Sequence, residues 1–460
     1  MATRLSPSET GQPSMRPVAL ATFVGTNLEA YGFVLYAQAT ALVFGHVFFP
    51  ELSPAAGTLA AFATFAVAFV AQPISAVFFG HYGDRVGRKP MLIAAMVFSG
   101  GTTFAIGLLP GYATIGLAAP VLLVVLRFLQ GFGVGGELSG SVLLAVEHAP
   151  ASRRGGYAGL TQSGVSIGVL LASGAMLAAS ATLSETAFRA WGWRIPFLVG
   201  GLLMAVGLYV RLRVTETPPF LADVVGDQPT TTATRGRTRA AAGAARLPVW
   251  EALRRQPKRL LLTIGTLAAA SLLSYTVTIF AVAYGTGLGV HATTILTATI
   301  IASAVNAVTV ALFALLSDRI GRRPVCLAGT VLAIAWSYPL FLLVHTRSLL
   351  WITVSFTVAL MASSMIGGSA AAWLPELFET KLRFSGLALS VTLSAIVGGA
   401  LAPLGSAALY KVTGSTVWVS GYLALITLIG MACIIALPET YKRDLTQSPK
   451  PVPVLVDDGA

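Results

Sequence analysis

Twelve apolar runs, each long enough to cross a lipid bilayer as a helix, dominate this chain. They fall at about 18–45, 55–80, 90–110, 117–147, 155–181, 194–212, 259–284, 292–316, 324–345, 348–375, 384–411 and 416–437, between polar or Pro/Gly breaks. A spanning helix needs about 20 apolar residues. Runs of this length are not the short alternating strands of a membrane barrel, so helices are expected throughout. Composition closes the other routes. Of 460 residues, 55% are hydrophobic and only 10% charged, against roughly 25% charged in soluble domains. A cytosolic enzyme, a secreted disulfide domain and a disordered chain are thereby excluded. The two cysteines, Cys326 and Cys433, lie in apolar runs, and the five histidines are scattered. No disulfide framework, metal cluster or catalytic constellation is expected. The Gly131-x-Gly133-x-Gly135-Gly136 run lies inside an apolar helix with no strand before it, which argues against a nucleotide loop.

The basic residues orient the chain. The net charge of +12 points to the membrane rather than to nucleic acid, because Lys and Arg collect on the cytoplasmic side. With the N-terminus inside, every basic residue except Arg127, Arg189, Arg194, Arg347 and Lys411 falls in a cytoplasmic segment. Both termini are therefore expected in the cytoplasm and the chain in the cell membrane. The first 17 residues are polar and lack the small-residue cleavage site of a signal peptide, so the first apolar helix is expected to stay in the bilayer. The expected organisation is a tail (1–17), a six-helix bundle (18–212), a basic loop (213–258), a second bundle (259–438) and a tail (439–460).

An internal repeat relates the bundles. Asp84-Arg85-Val86-Gly87-Arg88-Lys89-Pro90 follows helix 2, and Asp318-Arg319-Ile320-Gly321-Arg322-Arg323-Pro324 follows helix 8. Gly135-Gly136 on helix 4 matches Gly367-Gly368 on helix 10, and Glu147 with Arg154 matches Glu376 with Arg383. Landmarks in one order with slowly drifting offsets mark a duplicated unit, and both copies start on the same side.

These signatures, with Gly80 heading the first loop and Ala314 in its place in the second, resemble those of the major facilitator superfamily. The fold implied is all-α: twelve transmembrane helices in two pseudo-symmetric six-helix bundles. Arg127-Phe128-Leu129-Gln130-Gly131-Phe132-Gly133-Val134-Gly135-Gly136-Glu137, Trp191-Gly192-Trp193-Arg194-Ile195-Pro196-Phe197 and Pro438-Glu439-Thr440-Tyr441-Lys442-Arg443-Asp444-Leu445 resemble the metabolite:proton symporter branch. That branch carries shikimate, 2-oxoglutarate, proline/betaine and citrate-like acids. Its members usually show Glu-Trp-aromatic-Asp in helix 1, where this chain has Glu29-Ala30-Tyr31-Gly32. The resemblance implies a monomeric transporter of a small molecule, driven by a proton gradient and needing no cofactor.

Charge inside a span is costly and marks function by default. Glu29, Arg127 and Glu137 are the clear cases. Arg127, Gln130 and Glu137 share one face of helix 4 at helical spacing, so Arg127 can hold a substrate carboxylate or offset Glu137. With Gly32 in place of the family Asp, Glu29 and Glu137 remain as proton carriers. Helix 1 is polar on two faces, Asn27, Tyr31 and Gln38 on one, Thr22, Glu29, Tyr36 and Thr40 on the other. Such a helix lines a cavity while packing inside its own bundle. Tyr31, Gln162 and Tyr275 are further substrate candidates. Asp84, Arg85, Arg88, Glu147, Arg154, Asp318, Arg319, Arg322, Glu376 and Arg383, with Gly80 and Gly87 at the turn, are expected to latch the cytoplasmic gate through ion pairs and helix N-termini. Trp191, Trp193, Trp351 and Trp418 are expected in an interfacial belt. The function expected is proton-coupled import of a small organic acid or zwitterion. The alternatives are export or uniport of a natural product or drug, and a receptor that binds without moving its ligand.

Overall fold

The computed structural model describes residues 15–86, 88–135, 141, 154–213, 254–378 and 383–440. Helix α1 (Met15–Ala39) continues through a π turn (Thr40–Phe44) into Gly45–Phe48. Helices α2 (Pro54–Val86), α3 (Arg88–Leu108), α4 (Ala118–Val134), α5 (Arg154–Thr182) and α6 (Arg194–Arg213) complete the first half. In the second half, α7 (Pro257–Tyr275) passes through a π turn (Thr276–Phe280) into Ala281–Gly287. Then come α8 (Ala292–Ile320), α9 (Arg322–His345) and α10 (Leu349–Leu377). Helix α11 (Arg383–Ser394) runs through a π turn (Ala395–Ala400) into Leu401–Thr413, and α12 is Thr416–Ala436. Among the described residues, nine of these helices are long and apolar enough to span a membrane. Glu185–Gly192 with Arg194–Tyr209 forms a bent pair, and Ile93–Leu108 and Ala118–Val134 are shorter apolar helices. The order follows the apolar runs of the sequence.

Exposed side chains along the spans are themselves apolar, for example Val121, Leu202, Leu261, Leu312 and Leu425. Such a surface suits lipid, not water. Inside, backbones approach closely because small residues line the contacts. A Cβ on Gly131 would sit 2.3 Å from the Ala68 carbonyl oxygen of α2, and one on Gly135 would sit 2.4 Å from that of Gln72. A Cβ on Gly133 would meet Ala95 and Ser99 of α3 at 2.7 Å. The glycine run of helix 4 thus seats α4 between α2 and α3. On α5, Gly164 and Gly168 pack against α1 at Thr26 and Asn27, while Gly155 and Gly159 pack against Ala314 of α8.

Two seams join the halves. Along one, α5 lies against α8; along the other, α2 lies against α11, its π turn and the Leu401–Thr413 segment. Asn306 of α8 spans the first seam, donating to the Ser166 hydroxyl of α5 at 2.8 Å while accepting from Ser364 of α10. At the end away from the signature loops, Ala281–Gly287 packs on the π turn of α1. There the Tyr284 hydroxyl lies 3.0 Å from the His345 ring. The belt expectation needs one correction. Trp191, Trp351 and Trp418 are exposed, but Trp193 is fully buried among Phe44, Phe48 and Phe197. The bend between Gly192 and Arg194 turns its indole inward.

Candidate functional site

Arg127 is fully buried in the middle of α4. Bringing an isolated guanidinium out of water costs several kcal/mol even after relaxation, about the scale of a buried ion. Part of that cost is offset locally. Arg127 Nη1 donates to Gln130 Oε1 at 2.6 Å. Its Cζ lies 4.2 Å from the Phe33 ring centroid, 4.1 Å from Tyr36 and 4.6 Å from Phe65. Each such cation–π contact contributes about 0.5–2 kcal/mol. Nε and Nη2 make no hydrogen bond among the described residues.

The amide of Gln130 is held in one orientation. Its Nε2 donates to Thr103 Oγ1 at 2.8 Å and to the Gly32 carbonyl at 3.3 Å, and Thr103 donates to the Ser99 carbonyl at 2.8 Å. Oε1 is thereby left facing Arg127. Gly32 belongs to this arrangement sterically: a Cβ there would lie 2.8 Å from Thr103 Oγ1. The family Asp would therefore displace the support of Gln130. Gly32→Ala is expected to lower stability by about 1–3 kcal/mol through overpacking, read as a drop in thermal unfolding temperature in detergent.

Beyond Arg127 the aromatic lining crosses into the second half. Phe33, Phe65 and Phe69 pack edge to face at 5.2–5.3 Å. Tyr275, the last residue of α7 before its π turn, closes on Phe69 at 5.5 Å and on Phe33 at 6.2 Å. A Cβ on Gly399, within the π turn of α11, would meet Phe69 at 2.8 Å and Tyr275 at 2.9 Å. Two π turns thus flank one aromatic cluster, and such turns recur at functional sites.

The structure brings together Arg127, Gln130 and Tyr275. Glu29 is buried one turn along α1 from Phe33, on the same face, and interacts electrostatically with Tyr275. Tyr31 points elsewhere: its hydroxyl donates to the Pro196 carbonyl of α6 at 2.8 Å. Gln38 likewise bonds Ser173 of α5 at 2.6 Å. These are the contacts of the face that packs inside its own bundle. Gln162 is half-buried one turn from Ser166, on the α5–α8 seam. Glu137 lies outside the described residues. Phe33, Phe65, Phe69 and Thr103 escape a search for charge alone; the i, i+4 pair Phe65/Phe69 is the signal that points to them.

The second signature ties α8 to α5 of the other half. Asp318 of α8 accepts the Gly155 and Gly156 amides, each at 3.1 Å, and so caps α5 of the other half. Arg322 Nη1 pairs with the same carboxylate at 2.6 Å and also reaches Ser317 at 2.8 Å. Its Nη2 lies 3.5 Å from Glu376, with Arg154 within electrostatic reach of that carboxylate. Thr440 donates to Glu376 at 2.5 Å, and Glu439 accepts the Arg322 and Arg323 amides. Arg319 is exposed on the outer side of α8. Gly80 lies within α2; Gly87 and Glu147 lie outside the described residues, as do the side chains of Asp84, Arg85, Arg88 and Arg383.

Known proteins share this architecture. The family described as "sugar (and other) transporter" matches residues 18–450. The chain is 38% identical to the shikimate transporter of Escherichia coli K12 over 396 residues, covering 86% of this chain and 87% of that one. It is 32% identical to the proline/betaine transporter of Salmonella typhimurium over 437 residues, 94% of this chain and 85% of that one. The solved structure of the xylose transporter from E. coli, in a partially occluded inward-open conformation, superposes with a TM-score of 0.68. It has 20% identity and covers 93% of this chain and 98% of that one, a likeness of fold. With the duplicated signatures, these matches place the chain in the sugar (and other) transporter family of the major facilitator superfamily, among its metabolite transporters: a multi-pass secondary transporter, not an enzyme.

Proposed function

We propose that the protein imports a small organic acid or zwitterion together with protons, by alternating access. The observation that carries this reading is Arg127: a buried cation beside an aromatic cluster shared by the two halves, whose Nε and Nη2 edge makes no hydrogen bond among the described residues. A carboxylate is the group that such a planar fork binds with two parallel bonds. Substrate sites of this fold class lie near the midplane at the repeat interface, where Arg127 and Tyr275 meet through Phe33 and Phe65.

In this reading the bundles 18–212 and 259–438 rock about the site as a monomer. Glu29 exchanges the proton, with Glu137 as the other candidate carrier. The basic-residue bias puts the latch and both termini in the cytoplasm. Uptake into proteoliposomes is the test. A pH gradient, acid outside, is expected to drive accumulation of a substrate acid. Glu29→Gln is expected to remove that gradient-driven accumulation and to leave counterflow exchange within about threefold of wild type. No accumulation of any acid in a broad panel, or an unchanged response in Glu29→Gln, sinks the coupling. Gly32, which leaves no carboxylate at the family's coupling position, favours the second reading of a uniporter or exporter. Flux indifferent to pH, or extrusion from inverted vesicles, would select it.

A further inference from the structure

The surroundings of Arg127 narrow the substrate class, on the condition that Arg127 is the anion site proposed above. We infer that the substrate is a monocarboxylate built on a flat, hydroxyl-poor ring, one whose carboxylate meets Nε and Nη2 of Arg127 while its ring enters between Phe33, Phe65, Phe69 and Tyr275.

Charge counting gives the single carboxylate. Among the described residues the other buried guanidiniums are committed: Arg322 to Asp318, and Arg259 to the Leu377 carbonyl at 3.1 Å. One of the two Arg127 terminal nitrogens is already held by Gln130, so one fork edge remains. A second carboxylate on the ligand would lie among phenyl rings or be turned toward Glu29, one turn along the same face of α1. Either placement is unfavourable.

Ring chemistry gives the body. The rings of Phe33, Phe65, Phe69 and Tyr275 meet at interplanar angles of 59–87°. They present edges to faces, the arrangement in which an added ring finds the same contacts again. The polar side chains that touch Arg127 are already used. Gln130 is saturated by Arg127, Thr103 and Gly32, and the Tyr36 hydroxyl lies 2.7 Å from Thr64 Oγ1. A polyol would exchange water for phenyl groups and leave its hydroxyls unmet. An ammonium group would seek aromatic faces, but the guanidinium already covers those of Phe33, Tyr36 and Phe65. Gly399 sets the width from the second half, because any Cβ there intrudes on Phe69 and Tyr275.

The test is direct binding to the purified full-length protein in lipid nanodiscs, by calorimetry, with benzoate, acetate, succinate, proline and xylose as probes. Benzoate is expected to bind at least tenfold tighter than each of the others and to lose binding in Arg127→Gln. Phe69→Leu is expected to weaken benzoate by about three- to tenfold with acetate unchanged. Gly399→Ala, which adds one methyl to the ring wall, is expected to weaken benzoate more than acetate. Succinate, proline or xylose binding as tightly as benzoate overturns the inference, as does absence of benzoate binding. If the preferred probe is lost in Arg127→Gln, the anion-site reading survives that failure; if it binds regardless of Arg127, both fall.

Discussion

Arg127→Lys is expected to reduce substrate uptake by about 100-fold or more while the protein still purifies as a folded monodisperse species. Lysine keeps the charge but offers a compact ammonium in place of the planar fork. It cannot present the parallel Nε and Nη2 donors, and it cannot lie flat against Phe33, Tyr36 and Phe65 at 4.1–4.6 Å. Truncating one partner of a buried, hydrogen-bonded charge pair costs about 2–5 kcal/mol, and each 1.4 kcal/mol is about a factor of ten. Gln130→Glu separates charge from shape. The new carboxylate would stand where Gln130 Oε1 now meets Nη1 at 2.6 Å and neutralise the cation without changing side-chain size. Uptake of an anionic substrate is expected to fall at least tenfold in that variant. If both variants transport at the wild-type rate, Arg127 is a packing residue and the proposed anion site is wrong.

How much of this was legible in the sequence differs by level. The twelve apolar runs reappear as α1 to α12 because lipid permits a long apolar run no regular structure but a helix. The face of helix 4 that carries Arg127 and Gln130 was legible for a related reason: a span cannot turn a guanidinium to hydrocarbon. Helix 1 was legible as polar on two sides, and the structure separates them, with Tyr31 and Gln38 inside the bundle and Tyr36 toward Arg127. What pattern could not assign was which polar residue takes which partner. Tyr31 shares a polar face with Asn27 and Gln38 and was a substrate candidate, yet that face packs inside the bundle and its hydroxyl goes to Pro196. The π turns after Tyr275 and around Gly399 were invisible, because one extra residue per turn leaves no mark on hydropathy. The aromatic cluster was hidden too: Phe65 and Phe69 look like ordinary core until α7 and α11 arrive from the other half.

The contacts between the second signature loop and α5 lead to the second large effect. Asp318→Ala is expected to shift the protein toward the state in which the signature-loop end is open. The Asp318 carboxylate serves two groups at once, the Arg322 guanidinium at 2.6 Å and the Gly155 and Gly156 amides at 3.1 Å. Its side chain is 7% exposed and that of Arg322 2%, so removal takes the shortest ion pair from a buried cation, leaving it Ser317 and the more distant Glu376, and uncaps α5. Breaking a buried pair this way costs about 3–5 kcal/mol, and opening that end relieves the cost by admitting water. The ratio of open to closed is expected to rise by about 100-fold or more, and gradient-driven uptake to fall by at least tenfold. Spin labels at Leu160 of α5 and Ile320 of α8, both exposed and in opposite halves, would report the widening as a longer distance distribution. Gly155→Ala offers a route that leaves every charge in place. Its Cβ would lie 2.4 Å from the Ala314 carbonyl oxygen and 2.7 Å from Asp318 Oδ2, so the same seam must part. One substitution removes a charge and the other only adds a methyl group, so a common shift in both identifies the seam as the gate. An unchanged distance in both would reduce the Asp318–Arg322–Glu376 cluster to a topological anchor.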